Sequence, residues 1–593
     1  MAAAMATDDG NSPRLTFLPA APQHGLAATV AVIQDGTLAG IDGAPRWLAA
    51  DLGRIAAERG HAHALIAAYR RGGTALTELL AGSFVFAVLD PERQIGMFGV
   101  DRMGIRSLAY GRADDGAVVF ASHVAGVLAL PGVARSIEAQ GIYNYCYFHM
   151  VPSPGTLYRG IAKLEPGHVL IREGKLVTVH RYWNCHFNPT RASLGDLASE
   201  LHERLRIAVE RSAPGDSTGS FLSGGLDSST VTGCLARRTA GRKVKSFSIG
   251  FSQQGYDEMS YARISANHFG TEAHEYYVTA DDIVEAIPKI ARAYDEPFGN
   301  SSAVPTLFCA RLAKAAGIDH LLAGDGGDEI FAGNERYAKQ KVFERYYALP
   351  RWLRAGVLEP LIIGTRLGGL TRLTRKGRSY IEQALVPMPL RLQSYNFLER
   401  HGYQRIFVPA FLAASDRAEP GRLMTNSYGE APTSDIVNRM LFLDWKFTLA
   451  DNDLRKVNRM CELAGIAVDY PMLDDDLVEL STRVPRELKL KGAELRYFYK
   501  QAMRGFLPQA VLEKQKHGFG LPFGEWLKES TRLQDLVYGS LSALKIRGVI
   551  EPAFIDELID EHRAGHAGYF GTFVWVLMML EQWLEQHEPR YRF

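Results

Sequence analysis

From about Leu15 to Trp183 the hydrophobic positions come in short runs broken by turn residues. Ser83–Leu89 (SFVFAVL) is an apolar, aromatic and β-branched run, closed by Asp90-Pro91. Gly96–Val100 and Ala117–Ala121 are similar runs bounded by Gly and Asp. Runs of this length and composition predict strands. Trp47–Arg59 reads as a helix, so this region is expected to be α+β, a layered sandwich. The pattern then changes. Leu194, Leu197, Leu201, Leu205 and Ala208 fall on one face of a helix spanning Ser193–Arg211. Beyond Ala213-Pro214-Gly215, short buried strands (Gly219–Leu222, Lys245–Phe251, His320–Ala323) alternate with helical stretches. That alternation predicts a parallel sheet covered by helices. From roughly Arg336 onward the pattern is mostly helical.

Composition narrows the class. A chain of 593 residues accommodates two or three domains. Its 47% hydrophobic and 22% charged residues match a soluble globular protein. Sixty-seven Lys and Arg against 66 Asp and Glu give +1, without the electrostatic footprint of a nucleic-acid binder. Cys146, Cys185, Cys234, Cys309 and Cys461 show neither metal-ligand spacing nor a disulfide framework, so a reducing cytoplasm is expected. Residues 1–14 lack a basic flank and an apolar h-region, and are read as a disordered tail rather than a signal peptide. The apolar run Phe573–Leu580 is too short to span a bilayer, and no membrane partner is expected.

The most informative stretch is Phe221-Leu-Ser-Gly-Gly-Leu-Asp-Ser-Ser-Thr230. An apolar strand enters Ser223-Gly224-Gly225, and a helix begins near Ser228. Glycines let the backbone approach an anion, and the free N–H groups and helix dipole favour phosphate. Ser223, Ser228 and Ser229 supply hydroxyl donors, and Asp227 is suited to an accompanying Mg²⁺. Taken alone, a Gly-Gly turn with serines is equally a plain turn.

The stretch resembles the SGG-x-DSS signature of ATP pyrophosphatases, which split ATP into AMP and pyrophosphate. Its flanks resemble the asparagine synthetase family: Phe247–Phe251 (FSIGF), Tyr256-Asp257-Glu258, Asp295-Glu296-Pro297 with Ser301-Ser302 and Pro305, and Leu321–Phe331 (LLAGDGGDEIF). The resemblance implies an α/β ATP-pyrophosphatase (adenine nucleotide α-hydrolase-like) domain over residues 189–593, with a helical C-terminal part. It implies that Leu222, Ser223, Gly224, Gly225, Asp227, Ser228, Ser229, Ser248, Ile249 and Gly324 hold ATP. Asp227 and Asp328, from separate strand ends, would clamp Mg²⁺.

Asp453–Met460 (DLRKVNRM) is similar to the family's helix bearing Lys-x-Asp-Arg, which makes Lys456 and Arg459 candidate catalytic residues; Asn458 replaces the usual Asp. Lys514–Pro522 (KQKHGFGLP) resembles the K-x-GF-x-x-P motif and makes Lys516 the first choice for charge stabilisation. Two departures concern the acceptor. Ala467 stands where the family has Glu, and Asp469 where it has Arg. Glu462 is a candidate replacement for that Glu, and the changes put aspartate as acceptor in doubt.

Gly82–Asp90 and Val100–Leu108 (VDRMGIRSL), continued by Val151–Gly167, resemble the class II glutamine amidotransferase fold. Residues 15–188 are therefore expected to form an Ntn-hydrolase-like sandwich. Its chemistry needs an N-terminal Cys whose thiolate attacks glutamine. The first Cys is Cys146, and no segment matches the RGPD or NGE stretches that hold glutamine, so loss of glutaminase activity is expected.

These readings point to an enzyme that adenylates a carboxylate and passes it to an amine or ammonia. Relatives lacking the Cys include β-lactam synthetases and lasso-peptide cyclases. A macrocyclase acting on a precursor peptide, alone or with a companion protein, is thus one expectation. Asparagine synthetase proper is the alternative, and a non-catalytic scaffold the second. A homodimer is left open.

Overall fold

The computed structural model describes residues 2–7, 13–18, 32–34, 36–239, 242–253, 255–363, 372–515 and 520–593. In the N-terminal region a pair of antiparallel sheets lie face to face. One runs in the order Leu176–Arg181, His168–Glu173, Ile95–Val100, Leu80–Asp90, Thr37–Trp47, Val32–Gln34. The other runs Pro13–Leu18, Ala2–Thr7, Val118–Ala121, Ala109–Arg112, Ile161–Lys163.

The strand Leu80–Asp90 reads as continuously apolar because both its faces are buried. Val85, Ala87 and Leu89 point between the sheets, while Phe84, Phe86 and Val88 meet the helices Ala50–Arg59 and His61–Gly72. Between the sheets the rings of Phe98 and Phe120 lie 4.1 Å apart, centroid to centroid.

Two sequence expectations change here. Residues 1–14, read as a disordered tail, supply the strand Ala2–Thr7, which pairs with Pro13–Leu18 and with Val118–Ala121. The outer backbone edge of Val118–Ala121 offers unpaired N–H and C=O groups, and extended chain of almost any composition satisfies them. The helix expected at Trp47–Arg59 starts only at Ala50, because Trp47 ends the long strand Thr37–Trp47. Gly and Pro disguise that strand. Gly43 and Gly82, both at positive φ, sit where the two backbones press together, and a Cβ on either would collide with the partner strand.

The C-terminal region is built on a parallel sheet in the order Glu272–Val278, Lys245–Phe251, Thr218–Phe221, His320–Leu322, Ala467–Asp469. The outer two strands escape a hydrophobic reading, since Glu272–Val278 is a largely exposed edge and Ala467–Asp469 is only three residues long. Thr218–Phe221 lies at the centre and later strands add on either side of it. Its C-terminal end is therefore a switch point, where open α/β sheets leave a crevice.

Helices pack around this sheet. The C-terminal helix Ala567–His587 is apolar nearly all round because it is enclosed by Ala280–Ala293, Phe523–Glu529, Thr531–Leu544 and Pro552–Ala564. Among the described residues no helix is long and apolar enough to cross a membrane. The helix Ala139–Phe148, placed by sequence in the first domain, shares one continuous core with the C-terminal region: Tyr145 Oη donates to the Val576 carbonyl at 2.8 Å.

Phe98→Ala removes the ring that separates the two antiparallel sheets. The expected cost is about 3–5 kcal/mol, read as a lower denaturant midpoint for the unfolding of the N-terminal region.

Candidate active site

A cavity of about 800 Å³ opens at the switch point. The turn Leu222–Gly225 enters it from the central strand, and Gly324–Asp328 enters from the neighbouring strand His320–Leu322. Local chemistry sets the shape of the turn. The Ser248 hydroxyl donates to the Leu222 carbonyl at 2.7 Å, fixing the strand exit. Ser223 N–H donates to Ser228 Oγ at 3.1 Å, and the two serine hydroxyls meet at 2.9 Å. Gly224 has φ +70° and lies against Tyr261 and Ala262, where any Cβ would collide.

The helix Leu226–Arg238 then starts two residues before the expected Ser228, with Gly225 at its N-cap, and no side chain caps it. Its first-turn N–H groups and dipole thus face the cavity, the arrangement that binds phosphate.

Of the residues expected to hold nucleotide, Leu222, Ser223, Gly225, Asp227, Ser228, Ile249 and Gly324 line the cavity. Gly224, Ser229 and Ser248 do not line it. Gly224 and Ser248 shape the turn from behind. Ser229 is fully buried, its hydroxyl 2.8 Å from that of Ser265 on the helix Met259–Phe269, because a residue one helical position past Ser228 is turned away.

Asp227 and Asp328 do converge. Arg496 Nη1 donates to Asp227 Oδ2 at 2.6 Å and to Asp328 Oδ1 at 2.9 Å, while Nη2 reaches Asp227 Oδ1. Burial would weaken the Arg496 charge, but Asp227 and Asp328 hold its pKa above the ordinary arginine value. Two carboxylates drawn together in this way suit a Mg²⁺ ion that takes its remaining oxygens from phosphate and water. The lining as a whole, with more carboxylates than basic groups, also calls for an added cation if a polyphosphate is to enter.

The basic residues divide. Lys456 lines the cavity, held by Asp453 at 2.8 Å and Asp325 at 3.9 Å. Burial disfavours its charge, but Asp453 and Asp325 more than compensate and raise its pKa. Arg459 does not line the cavity. One turn further on, it faces the N-terminal region and pairs with Glu462 at 2.8 Å and Asp295 at 3.5 Å. Glu462 points the same way and does not line the cavity either. Lys516 lies outside the described residues.

Asn458 and Asp469 also have structural partners. Asn458 Nδ2 donates to the Ile105 carbonyl at 2.7 Å, and Asp469 sits 3.0 Å from His320 Nε2. Ala467 belongs to the edge strand and leaves no carboxylate there.

Arg496 and Lys514 are functional candidates that the sequence reading missed. Lys514 is half-buried, 3.0 Å from Glu258 and over the Tyr261 ring, with its Nζ 3.3 Å from the Gly224 carbonyl. The signal for Lys514 was its place at the head of the K-x-GF-like stretch. Arg496 had no local signal, since it is brought in from a distant turn.

Arg496→Ala leaves two carboxylates without their shared counter-charge, and is expected to cost about 3–5 kcal/mol in metal-free buffer. Millimolar MgCl₂ should then raise the Tm of the variant more than that of the parent in a thermal-shift assay.

Asp325 is pushed up to about 6 by burial, with Lys456 opposing. Its folded form binds a proton more tightly than the unfolded chain, so this contribution to stability is present at low pH and lost as pH rises through about 6. Asp325→Asn should therefore show a higher Tm than the parent at pH 7.5, the difference shrinking towards pH 4.

Comparison with known proteins agrees with this geometry. Residues 200–585 match the asparagine synthase family and residues 51–183 the glutamine amidotransferase domain. Asparagine synthetase (glutamine-hydrolysing) 1 of Bacillus subtilis is 25% identical over 524 residues, 88% of this chain and 80% of that one. Asparagine synthetase (glutamine-hydrolysing) 3 of the same organism is 23% identical over 489 residues, 78% and 72% of the two chains. Amidase chry2 of Gibberella zeae is 27% identical over 310 residues, covering 48% of this chain and 45% of that protein. The family match spans most of the chain and coincides with the cavity-bearing region, so the chain belongs to the asparagine synthase family of ATP-dependent carbon–nitrogen ligases.

Proposed function

We propose that the chain adenylates a substrate carboxylate and transfers the acyl group to an amine, without a glutaminase activity of its own. The observation that carries this is the meeting of the Leu222–Ser228 turn, Asp227 and Asp328 in one cavity at the switch point. A carboxylate oxygen attacks the α-phosphorus of ATP, and the bond to pyrophosphate breaks. The amine then attacks the acyl carbon, AMP leaves and the nitrogen gives up a proton.

In this reading Ser223, Ser228 and the N-terminal turn of Leu226–Arg238 receive the phosphates. Lys456 and Lys514 supply fixed positive charge as charge builds on the departing oxygens. Asp453 orients Lys456. Asp227 and Asp328 would hold Mg²⁺, which when bound neutralises the pyrophosphate. Lys516 is read as a further charge donor, and Arg459 as a positioning residue between the two regions of the chain. The fold behind this is read as an ATP-pyrophosphatase sheet over residues 189–593, joined to an Ntn-hydrolase-like sandwich over 15–188.

Two features support a silent glutaminase half. No Cys precedes Cys146 in the sequence. Cys146 itself is buried within a helix, and burial pushes its thiol far above the range of a nucleophile. Nitrogen would then come from ammonia or a substrate amine, as in a macrocyclase or another specialised amide synthetase. The names of the B. subtilis relatives favour a second reading, asparagine formation; Ala467 and Asp469 weigh against aspartate as the acceptor.

ATP–pyrophosphate exchange over a panel of acids tests the proposal. Exchange with at least one acid is expected, with Lys456→Ala lowering it about 100-fold, and with no glutamate released from glutamine. Absence of exchange with every acid and of any AMP would refute the ligase reading. Robust glutamate release would refute the silent half.

A further inference from the structure

The helices that follow the nucleotide cavity along the chain form a small unit of their own. Glu335, on the cavity wall, opens the helix Glu335–Lys341, and Glu344–Tyr347 follows. A continuous helical stretch comes next, Arg351–Leu353, Arg354–Leu358 and Glu359–Ile363, and then the helix Arg372–Leu385. Phe343, Tyr346, Ile381 and Ala384, with Leu358 and Tyr380 against them, make a core separate from the main one. Tyr346 Oη donates to Glu359 Oε1 at 2.6 Å, and Tyr380 Oη to the Val342 carbonyl at 2.9 Å. Arg354 lies over the rings of Tyr346 and Tyr347.

So small a core leaves apolar side chains outside it. Among the described residues fourteen large apolar side chains are exposed, and six of them fall between Val342 and Leu385. Trp352, at 71%, is the most exposed of all, and Val357 at 46% and Leu361 at 57% stand in the same helical stretch. In an α-helix the five residues from Trp352 to Val357 would overshoot one turn by about 140°. Here Arg354–Leu358 is π-helical, the Glu359 N–H bonding to the Arg354 carbonyl, so the extra residue is absorbed. Val357 and Leu361 are ordinary i, i+4 neighbours, and the three side chains lie along one side. None of them belongs to the small core or lines the nucleotide cavity. An exposed apolar stripe with no part in packing or in the site marks a contact surface.

Charge indicates what it contacts. Between Arg351 and Leu385 the sequence holds seven Lys and Arg against two acids, Glu359 and Glu382, whereas the whole chain balances to +1. The basic excess is therefore local, and the rest of the chain is net acidic. A helical stripe of Trp and aliphatic side chains amid basic residues is the pattern of a helix lying in the interface of an anionic bilayer. Trp suits that boundary, because its indole has an apolar body and one N–H for the wet side.

We propose that this helical unit docks the protein on an anionic membrane surface, with Trp352, Val357 and Leu361 entering the headgroup boundary and basic residues such as Arg351 and Arg378 meeting lipid phosphates. The expectation of no membrane partner rested on the length needed to span a bilayer, and a helix lying in the surface needs no such length. Docking of this kind is separate from the ligase chemistry.

The test is co-sedimentation of the full-length protein with vesicles of equal parts phosphatidylglycerol and phosphatidylcholine, and with vesicles of phosphatidylcholine alone. Binding to the anionic vesicles is expected, about tenfold weaker on the neutral ones and weakened by added salt. Trp352→Ser with Leu361→Ser, and separately Arg351→Glu with Arg378→Glu, should each weaken it about tenfold. All four side chains are exposed, so both variants should keep the parent's Tm. If the serine variant loses stability, the charge-reversal variant carries the test.

No binding to anionic vesicles, equal binding to neutral ones, or undiminished binding by stable variants would each overturn the proposal. A protein partner at this face would leave the vesicles unbound, and so would overturn it as well.

Discussion

The guanidinium of Arg496 is the interaction on which the site depends. It is 4% exposed and holds Asp227 and Asp328 at the ends of two different loops, so one side chain fixes the spacing of both. Two carboxylates at this distance repel strongly in a medium of low polarisability, and only a cation between them keeps them there. The surrounding glycines are a consequence. Gly327 presses against Asp227, Gly333 against Asp328, and a Cβ on Gly324 would lie 2.6 Å from the Ser228 nitrogen. No side chain can stand at these positions while the carboxylates converge.

The same logic of buried carboxylates joins the N-terminal and C-terminal regions. Asp295 accepts from the Val124 N–H at 2.6 Å, and despite its burial the Arg459 charge holds it down to about 2. Glu296 accepts from the Leu157 N–H and from Lys163, each at 2.7 Å. Asp451 accepts from both the N–H and the hydroxyl of Ser153. Asp475 does the same for the Gly82 N–H. Each contact ties backbone of the N-terminal region to an acid of the C-terminal one, and backbone donors lose much when left unpaired. The N-terminal region therefore buttresses the walls of the cavity whether or not it does chemistry. Arg459 and Asn458, facing this interface, belong to that support.

How much the chain announces in advance differs by element. The central strands and the Gly-Gly turn were legible, because a buried strand must be apolar and a tight turn pressed against a neighbouring helix must be glycine there. The pairing of Asp227 with Asp328 was legible from motif order. The direction of individual side chains was not. Ser228 and Ser229 are adjacent in sequence, yet one faces the cavity and the other the Met259–Phe269 helix, a difference set by helical phase once the helix starts at Leu226.

The class of chemistry was readable in the sequence through its resemblance to the asparagine synthetase family, carried by several motifs in one order along the chain. Tertiary structure decided which residues serve it. Arg496 and Lys514 reach the site by long-range packing, Arg459 leaves it by one turn of helix, and the residues 2–7 find a sheet edge far along the chain. Local pattern encodes what an element is, whereas the partners of a side chain depend on elements hundreds of residues away, and those meet only when the core closes.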